Sequence, residues 1–241
     1  MKKAKKILAI CLALVMFLLT GVSTTAFSYS FPDAFDDVPI GVWFHADVRS
    51  GHVMGITIGT STNPPLFEPH RAITRAEFIT MLGRTHETEE FIGGTIEYNK
   101  DFNPYVDINL SSFYAPYVLW ATAYEIIPRD GSEYFRPHMP VTREEMAVII
   151  YNYISVYGFQ EHFTDFGALQ FIDQNSVSTW AIDAVEWLGA HRVVQGSPGS
   201  NEDSETLRYF KPNASLTRAE AITLLVRVAG KMGPIGSVAF D

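Results

Sequence analysis

The sequence predicts a mainly α protein made of three helix-loop-helix repeats, and three observations predict it. "FEPHRAITRAEF", "FRPHMPVTREEM" and "FKPNASLTRAEA" align without a gap, and self-similarity in register is the mark of a repeat architecture. Upstream of each lies a second landmark, an aromatic-x-Asp start: Phe35 and Asp37, Tyr105 and Asp107, Phe171 and Asp173. Behind each Thr-Arg-x-Glu, apolar residues then recur at helical spacing, for example Phe78, Ile79, Met81 and Leu82. On this reading the repeats run at 35–84, 105–154 and 171–229.

The first helix of each repeat is read from a stripe. In "STWAIDAVEWLGAHRVV" the apolar positions Trp180, Ala181, Ala184, Val185 and Leu188 share one face. "YAPYVLWATAYEII" is its counterpart in the second repeat. "WFHADVRSGHVMG" in the first is expected to be about one turn shorter. A loop rich in Gly, Pro and Ser follows. The connectors 85–104 and 155–170 carry too many aromatic residues for free linkers and are expected on the surface of a single assembly.

The second helix starts at the threonine. Thr74/Glu77, Thr142/Glu145 and Thr217/Glu220 each fit a capping box, in which hydroxyl and carboxylate satisfy each other's backbone N–H. Ile73, Val141 and Leu216 precede them and suit a hydrophobic staple with Phe78, Met146 and Ala221. Folding accounts for all of these residues. It does not account for Arg75, Arg143 and Arg218, each a cation at the positive end of a helix, where it costs about 0.3–1 kcal/mol. Three such arginines at one repeat position point to a ligand. A guanidinium fork beside free helix-start N–H groups is a receptor for carboxylate or phosphate. The competing reading is that each arginine pairs with a nearby carboxylate.

The N-terminus reads separately. "MKKAKK", a thirteen-residue apolar run and the small residues of "TGVSTTA" form a secretory signal peptide over 1–26. Four of the 18 basic residues and none of the 27 acidic ones fall in it, so 14 remain against 27, a formal charge of −13. That balance excludes nucleic acid and, after signal cleavage, the membrane as partners. The single cysteine, Cys11, lies inside the signal, so no disulfide or thiol chemistry is expected.

Nothing in the motifs points to catalysis, a metal or a cofactor. The acidic pairs Asp36/Asp37, Glu89/Glu90 and Glu144/Glu145 are adjacent in sequence and do not face each other across a cleft. The histidines show no metal-ligand spacing, and "NEDSE" lacks that of a calcium loop. The tail after the third repeat, "AGKMGPIGSVAFD", is expected to hold no second domain.

The aromatic-x-Asp start, the Trp, the Phe-x-Pro turn and Thr-Arg-Ala-Glu, in that order and in triplicate, resemble the surface-layer homology (SLH) family over about residues 35–229. The resemblance implies one pseudo-threefold helical domain, secreted and held at the bacterial cell wall. It implies a non-catalytic anchor that binds an anionic, pyruvylated secondary cell-wall polysaccharide in grooves between repeats, with other surface-layer proteins as a second class of partner. The ligand residues it implies are Arg75, Arg143 and Arg218, the early Asp37, Asp107 and Asp173, Trp43 and Trp180, and the loop-closing Gly55 and Gly196. For the tryptophans, core packing is slightly favoured over sugar stacking. For the aspartates, the competing role is to cap the first helix or brace a loop. Two readings from other classes stand beside it: a protein-docking module on the same fold, and a wall-active hydrolase.

The second repeat departs from the pattern. Phe113 or Tyr114 replaces the Trp, Arg129 occupies the closing Gly position, and Glu144 replaces Ala and brings a negative charge beside Arg143. In the third repeat the acidic "SPGSNEDSETLR" could cover its own groove. Fewer than three equivalent sites are therefore expected.

Overall fold

The computed structural model describes residues 34–88, 96–164, 167, 171–198 and 208–232. The expected signal peptide, most of the acidic loop, parts of both connectors and the tail lie outside the described residues.

Six α-helices order the described chain: α1 His45–Val53, α2 Arg75–Glu87, α3 Ala115–Ala123, α4 Arg143–Val156, α5 Ile182–Ala190 and α6 Arg218–Met232. The protein is mainly α, as expected. Helix α1 has nine residues, as do α3 and α5, so the expected shortening of the first helix is absent. Two short antiparallel ladders stiffen the first and third loops: β1 Ser61–Thr62 with β2 Pro65–Leu66, and β3 Ser197–Pro198 with β4 Arg208–Tyr209.

All three capping boxes form. The threonine hydroxyls accept from Glu77, Glu145 and Glu220 N–H at 3.2, 3.3 and 3.2 Å, and the glutamates take back Thr74, Thr142 and Thr217 N–H at 2.9, 2.8 and 2.9 Å. Each box contributes about 1 kcal/mol. The residues before the threonines are fully buried, and their backbones close a ring. Ile73 N–H donates to Leu216 O at 2.9 Å, Leu216 to Val141 O at 3.0 Å, and Val141 to Ile73 O at 3.1 Å. Amides buried this deeply need partners, and each finds its partner in a different repeat.

Helix packing follows the same cyclic order. Helix α2 packs on α3, α4 on α5, and α6 on α1, so the second helix of each unit covers the first helix of the next. One continuous core runs from Phe35 to Met232. The second connector takes part in it: Phe159 and Phe163 are buried, and Phe163 meets Trp187 edge-on at 5.4 Å. Beneath it, Trp120 Nε1 donates to the Tyr157 hydroxyl at 3.0 Å and His86 Nδ1 lies 3.2 Å from the Tyr153 hydroxyl.

The turn before each second helix is held by the early aspartate. Phe67, Phe135 and Phe210 are buried, and the residue after each has positive φ: Glu68 59°, Arg136 61° and Lys211 57°. Left-handed backbone costs a side-chain-bearing residue about 1–2 kcal/mol. Asp37, Asp107 and Asp173 offset it by accepting both turn N–H groups, all at 2.7–2.8 Å.

Candidate functional site: three arginine grooves

Each motif arginine begins α2, α4 or α6 and reaches into the next unit. Nε of Arg75, Arg143 and Arg218 donates to the carbonyls of Phe135, Phe210 and Phe67 at 2.8, 2.6 and 2.8 Å. Nη1 meets the capping glutamates Glu145, Glu220 and Glu77 at 2.6, 2.7 and 3.4 Å. The guanidinium carbons stand 4.9, 5.6 and 4.9 Å from the centres of the same Phe rings, within cation–π range.

These contacts correct one inference from the sequence. The helix-start N–H groups are not available to a ligand: Arg75, Arg143 and Arg218 N–H donate to Met139, Ala214 and Arg71 carbonyls, and the following residues to Pro137, Pro212 and Pro69 carbonyls. The arginine also has contacts within the fold itself. It ties one unit's helix to the next unit's turn through contacts 60 to 151 residues apart in sequence, which reading a single repeat could not reveal.

A groove opens at each arginine. The Arg75 groove, about 460 Å³, is walled by Glu145 of the second unit and Trp180 of the third. The Arg143 groove, about 670 Å³, has Glu220 of the third and Trp43 of the first. The Arg218 groove, about 480 Å³, has Glu77 of the first and Phe113 of the second. Every groove thus draws one residue from each of the three units. The aromatics are exposed: Trp43 64%, Phe113 63% and Trp180 54%. The preference for core packing of the two tryptophans is therefore overturned, and of the two second-repeat candidates Phe113 faces the groove while Tyr114 is buried.

Other expected site residues sit elsewhere. Asp37, Asp107 and Asp173 have both oxygens filled by turn N–H groups and line none of the three grooves. Gly196 lines the Arg143 groove; its φ is +65°, and a Cβ there would stand 2.8 Å from Phe171 and from Tyr209 O. Its counterpart in the first unit is Gly59, not Gly55. Gly59 meets Phe35 and Leu66 O in the same way and lines the Arg218 groove. Gly55, at φ +75° with nothing near its Cβ, ends α1, where the other units have Glu125 and Arg192. Arg129 takes the Gly59 position in the second unit and lines the Arg75 groove. The Gly-x-x-x-Gly spacing of "GITIG" was the signal for Gly59.

Glu144 does not charge the Arg143 groove. It is buried and turned to Ser178, accepting from its N–H and its hydroxyl at 3.0 Å each. Sequence reading also missed Arg71. Its Nη1 and Nη2 grip both oxygens of Glu77 at 3.1 and 2.6 Å, and its Nε meets Glu68 at 2.9 Å. Burial pushes the Glu77 carboxyl up, but Arg71, the Thr74 N–H and Arg218 outweigh it and hold it below its ordinary value. The bond to Glu77 raises Arg71 despite burial, whereas burial lowers Arg218. Among the described residues, no group of three or more metal-ligating side chains comes together, and no helix is long and apolar enough to cross a membrane.

Comparison with known proteins bears on the second and third units. The S-layer homology domain matches residues 104–147 and 170–222. The chain is 30% identical over 70% of its length to an amylopullulanase of Thermoanaerobacterium thermosulfurigenes, and 30% over 66% to an exoglucanase of Acetivibrio thermocellus. It is 28% identical over 73% of its length to a cellulosome-anchoring protein of Acetivibrio thermocellus. The match spans 8%, 13% and 36% of those three proteins. With two matched segments built on the capped helix, clamped turn and groove-facing arginine described above, the chain belongs to the S-layer homology family.

Proposed function

We propose that this protein is a non-catalytic cell-surface anchor that binds an anionic, pyruvylated secondary cell-wall polysaccharide in the three grooves. The observation that carries the reading is their shared composition: a motif arginine, a capping glutamate from the next unit and an exposed aromatic from the remaining one. A guanidinium edge recognises a carboxylate, and an exposed ring suits the apolar face of a sugar. On this reading the first unit, 35–84, is a third S-layer homology repeat beside 105–154 and 171–229. Its identical clamp, capping box and ring hydrogen bond support that, and the closed ring supports a pseudo-threefold domain. The signal peptide at 1–26 would deliver it to the wall, where the polysaccharide and other surface-layer proteins are its partners.

The relatives support anchoring over chemistry. One is named a cellulosome-anchoring protein, and the match covers only 8% and 13% of the two named for enzymes. The test is sedimentation of the mature chain with purified cell walls. Binding should disappear when the secondary polymer is stripped or its pyruvate removed. Undiminished binding to bare peptidoglycan refutes the polymer assignment, and release of sugar from the walls refutes the absence of catalysis.

A further inference from the structure

The three grooves differ in how their arginine is neutralised. Arg75 and Arg143 meet their glutamates one to one, at 2.6 and 2.7 Å. Arg218 stands 3.4 Å from Glu77, because the same oxygen, Oε1, is already held by Arg71 at 2.6 Å. Arg71 lies two residues after Pro69; the second and third units have Met139 and Ala214 at that place. Among the described residues, only the first unit sets a second guanidinium on the capping glutamate.

Arg218 is also the most buried of the three, its side chain 4% exposed against 17% for Arg75 and 9% for Arg143. Arg71 also pairs with Glu68 at 2.9 Å, so two guanidiniums meet two carboxylates here, but the carboxylate beside Arg218 is held by Arg71. A buried cation so loosely paired acts strongly on an arriving anion at low effective dielectric. Among the described residues, Arg71, Arg84 and Arg218 line this groove with Glu77. Phe113 and Ile58, 63% and 65% exposed, complete the Arg218 groove with an apolar wall.

We propose that the Arg218 groove is this chain's preferred carboxylate subsite, and that Arg71 is the specificity-determining residue that makes it so by capturing Glu77. The proposal rests on the polysaccharide-binding reading above. Its ligand class is a saccharide bearing one carboxylate next to an apolar sugar face.

The aromatic walls supply a way to tell the grooves apart. Trp43 and Trp180 line the other two grooves, whereas Phe113 lines this one. The probe is the methyl glycoside of a 4,6-O-(1-carboxyethylidene) hexose, with its carboxyl methyl ester as neutral control, titrated into the mature chain by calorimetry and by tryptophan emission. The acid should show a tight phase that leaves tryptophan emission unchanged, followed by weaker binding that alters it. Phe113→Trp should make the tight phase visible, and the ester should lack it. Arg71→Met should weaken the tight phase about tenfold, since Glu77 then pairs with Arg218 as in the other grooves, and leave the weaker phase in place. Arg71→Lys should weaken it less; it decides the matter if the methionine variant does not fold. An unchanged tight phase in the folded Arg71 variants, or a tight phase that alters wild-type tryptophan emission, overturns this proposal alone. No binding of the acid to wild type overturns the polysaccharide reading and this proposal with it.

Discussion

Arg143 reaches Glu220 at 2.7 Å, so the residue that opens one unit's helix is neutralised by the residue that caps the next. Arg75 with Glu145 and Arg218 with Glu77 repeat the relationship around the ring. The capping glutamate therefore has two tasks, one within its own helix and one between units. The arginine couples the groove to the stability of the whole domain, and binding experiments on these variants must be read beside a measure of folding.

Arg143→Ala should lower unfolding free energy by about 3 kcal/mol, because it strands Glu220 and the Phe210 carbonyl without their cation. Urea denaturation followed by circular dichroism measures it. A change below about 0.5 kcal/mol would show that the ion pair is worth no more than an exposed one.

The aspartate clamps are predicted to be structural. Asp173→Ala removes two charge-assisted bonds to the Phe210 and Lys211 N–H groups and leaves a left-handed residue unsupported. A loss of about 2–4 kcal/mol is expected. Any fall in wall binding should follow the unfolded fraction. Lost binding in a fully folded variant would instead return Asp173 to the ligand.

Local and non-local features were not equally legible. Thr74 and Glu77 are three residues apart, so the capping box and the helix behind it could be read directly. The partner of Arg218 in the Phe67 turn is 151 residues away, and only closure of the ring brings it near. Trp180 fits the apolar stripe read from the sequence as well as Ala184 does, yet it lies in the turn before α5, exposed and facing a groove. Periodicity marks a face but not what covers it. Gly55 and Gly59 both have positive φ, and composition could not say which one touches the turn.

That distinction can be measured. Gly196→Ala should destabilise by about 2–3 kcal/mol, since it combines a left-handed backbone with a Cβ 2.8 Å from Tyr209 O. Gly55→Ala has open space and should cost only the backbone term, about 1 kcal/mol. Thermal melts of the two variants side by side decide it. Equal losses would contradict the assignment of Gly55 to the end of α1.

Acid should weaken the first unit's junction. The Glu77 carboxyl lies below its ordinary value of 4.5 in the folded protein. A group depressed on folding contributes stability that is complete above that ordinary value and fades as pH falls through the folded one. Glu77→Gln keeps a capping side chain but cannot titrate. The wild-type melting temperature should exceed that of the variant at pH 7, and the gap should close as pH drops below 4.5. A gap that stays constant down to pH 3 would contradict the ion-pair origin of the shift.

The second unit's unusual glutamate is predicted to shape the Arg75 groove from behind. Glu144 is buried and binds both the N–H and the hydroxyl of Ser178 at 3.0 Å. Ser178 in turn accepts the Ala181 N–H at 2.8 Å, so Trp180 lies on a short arch whose foot is fastened by Glu144. The first and third units have Ala76 and Ala219 at this position and cannot make the bond. Glu144→Ala should destabilise the fold by about 1–3 kcal/mol and release the arch. The emission of Trp180, isolated in a Trp43→Phe, Trp120→Phe and Trp187→Phe background, should then become more accessible to iodide quenching. Glu144→Gln, which keeps an acceptor for the Ser178 hydroxyl, should recover part of the protection. If the alanine variant protects Trp180 as well as the parent does, the arch is held by the rest of the fold and Glu144 serves stability alone.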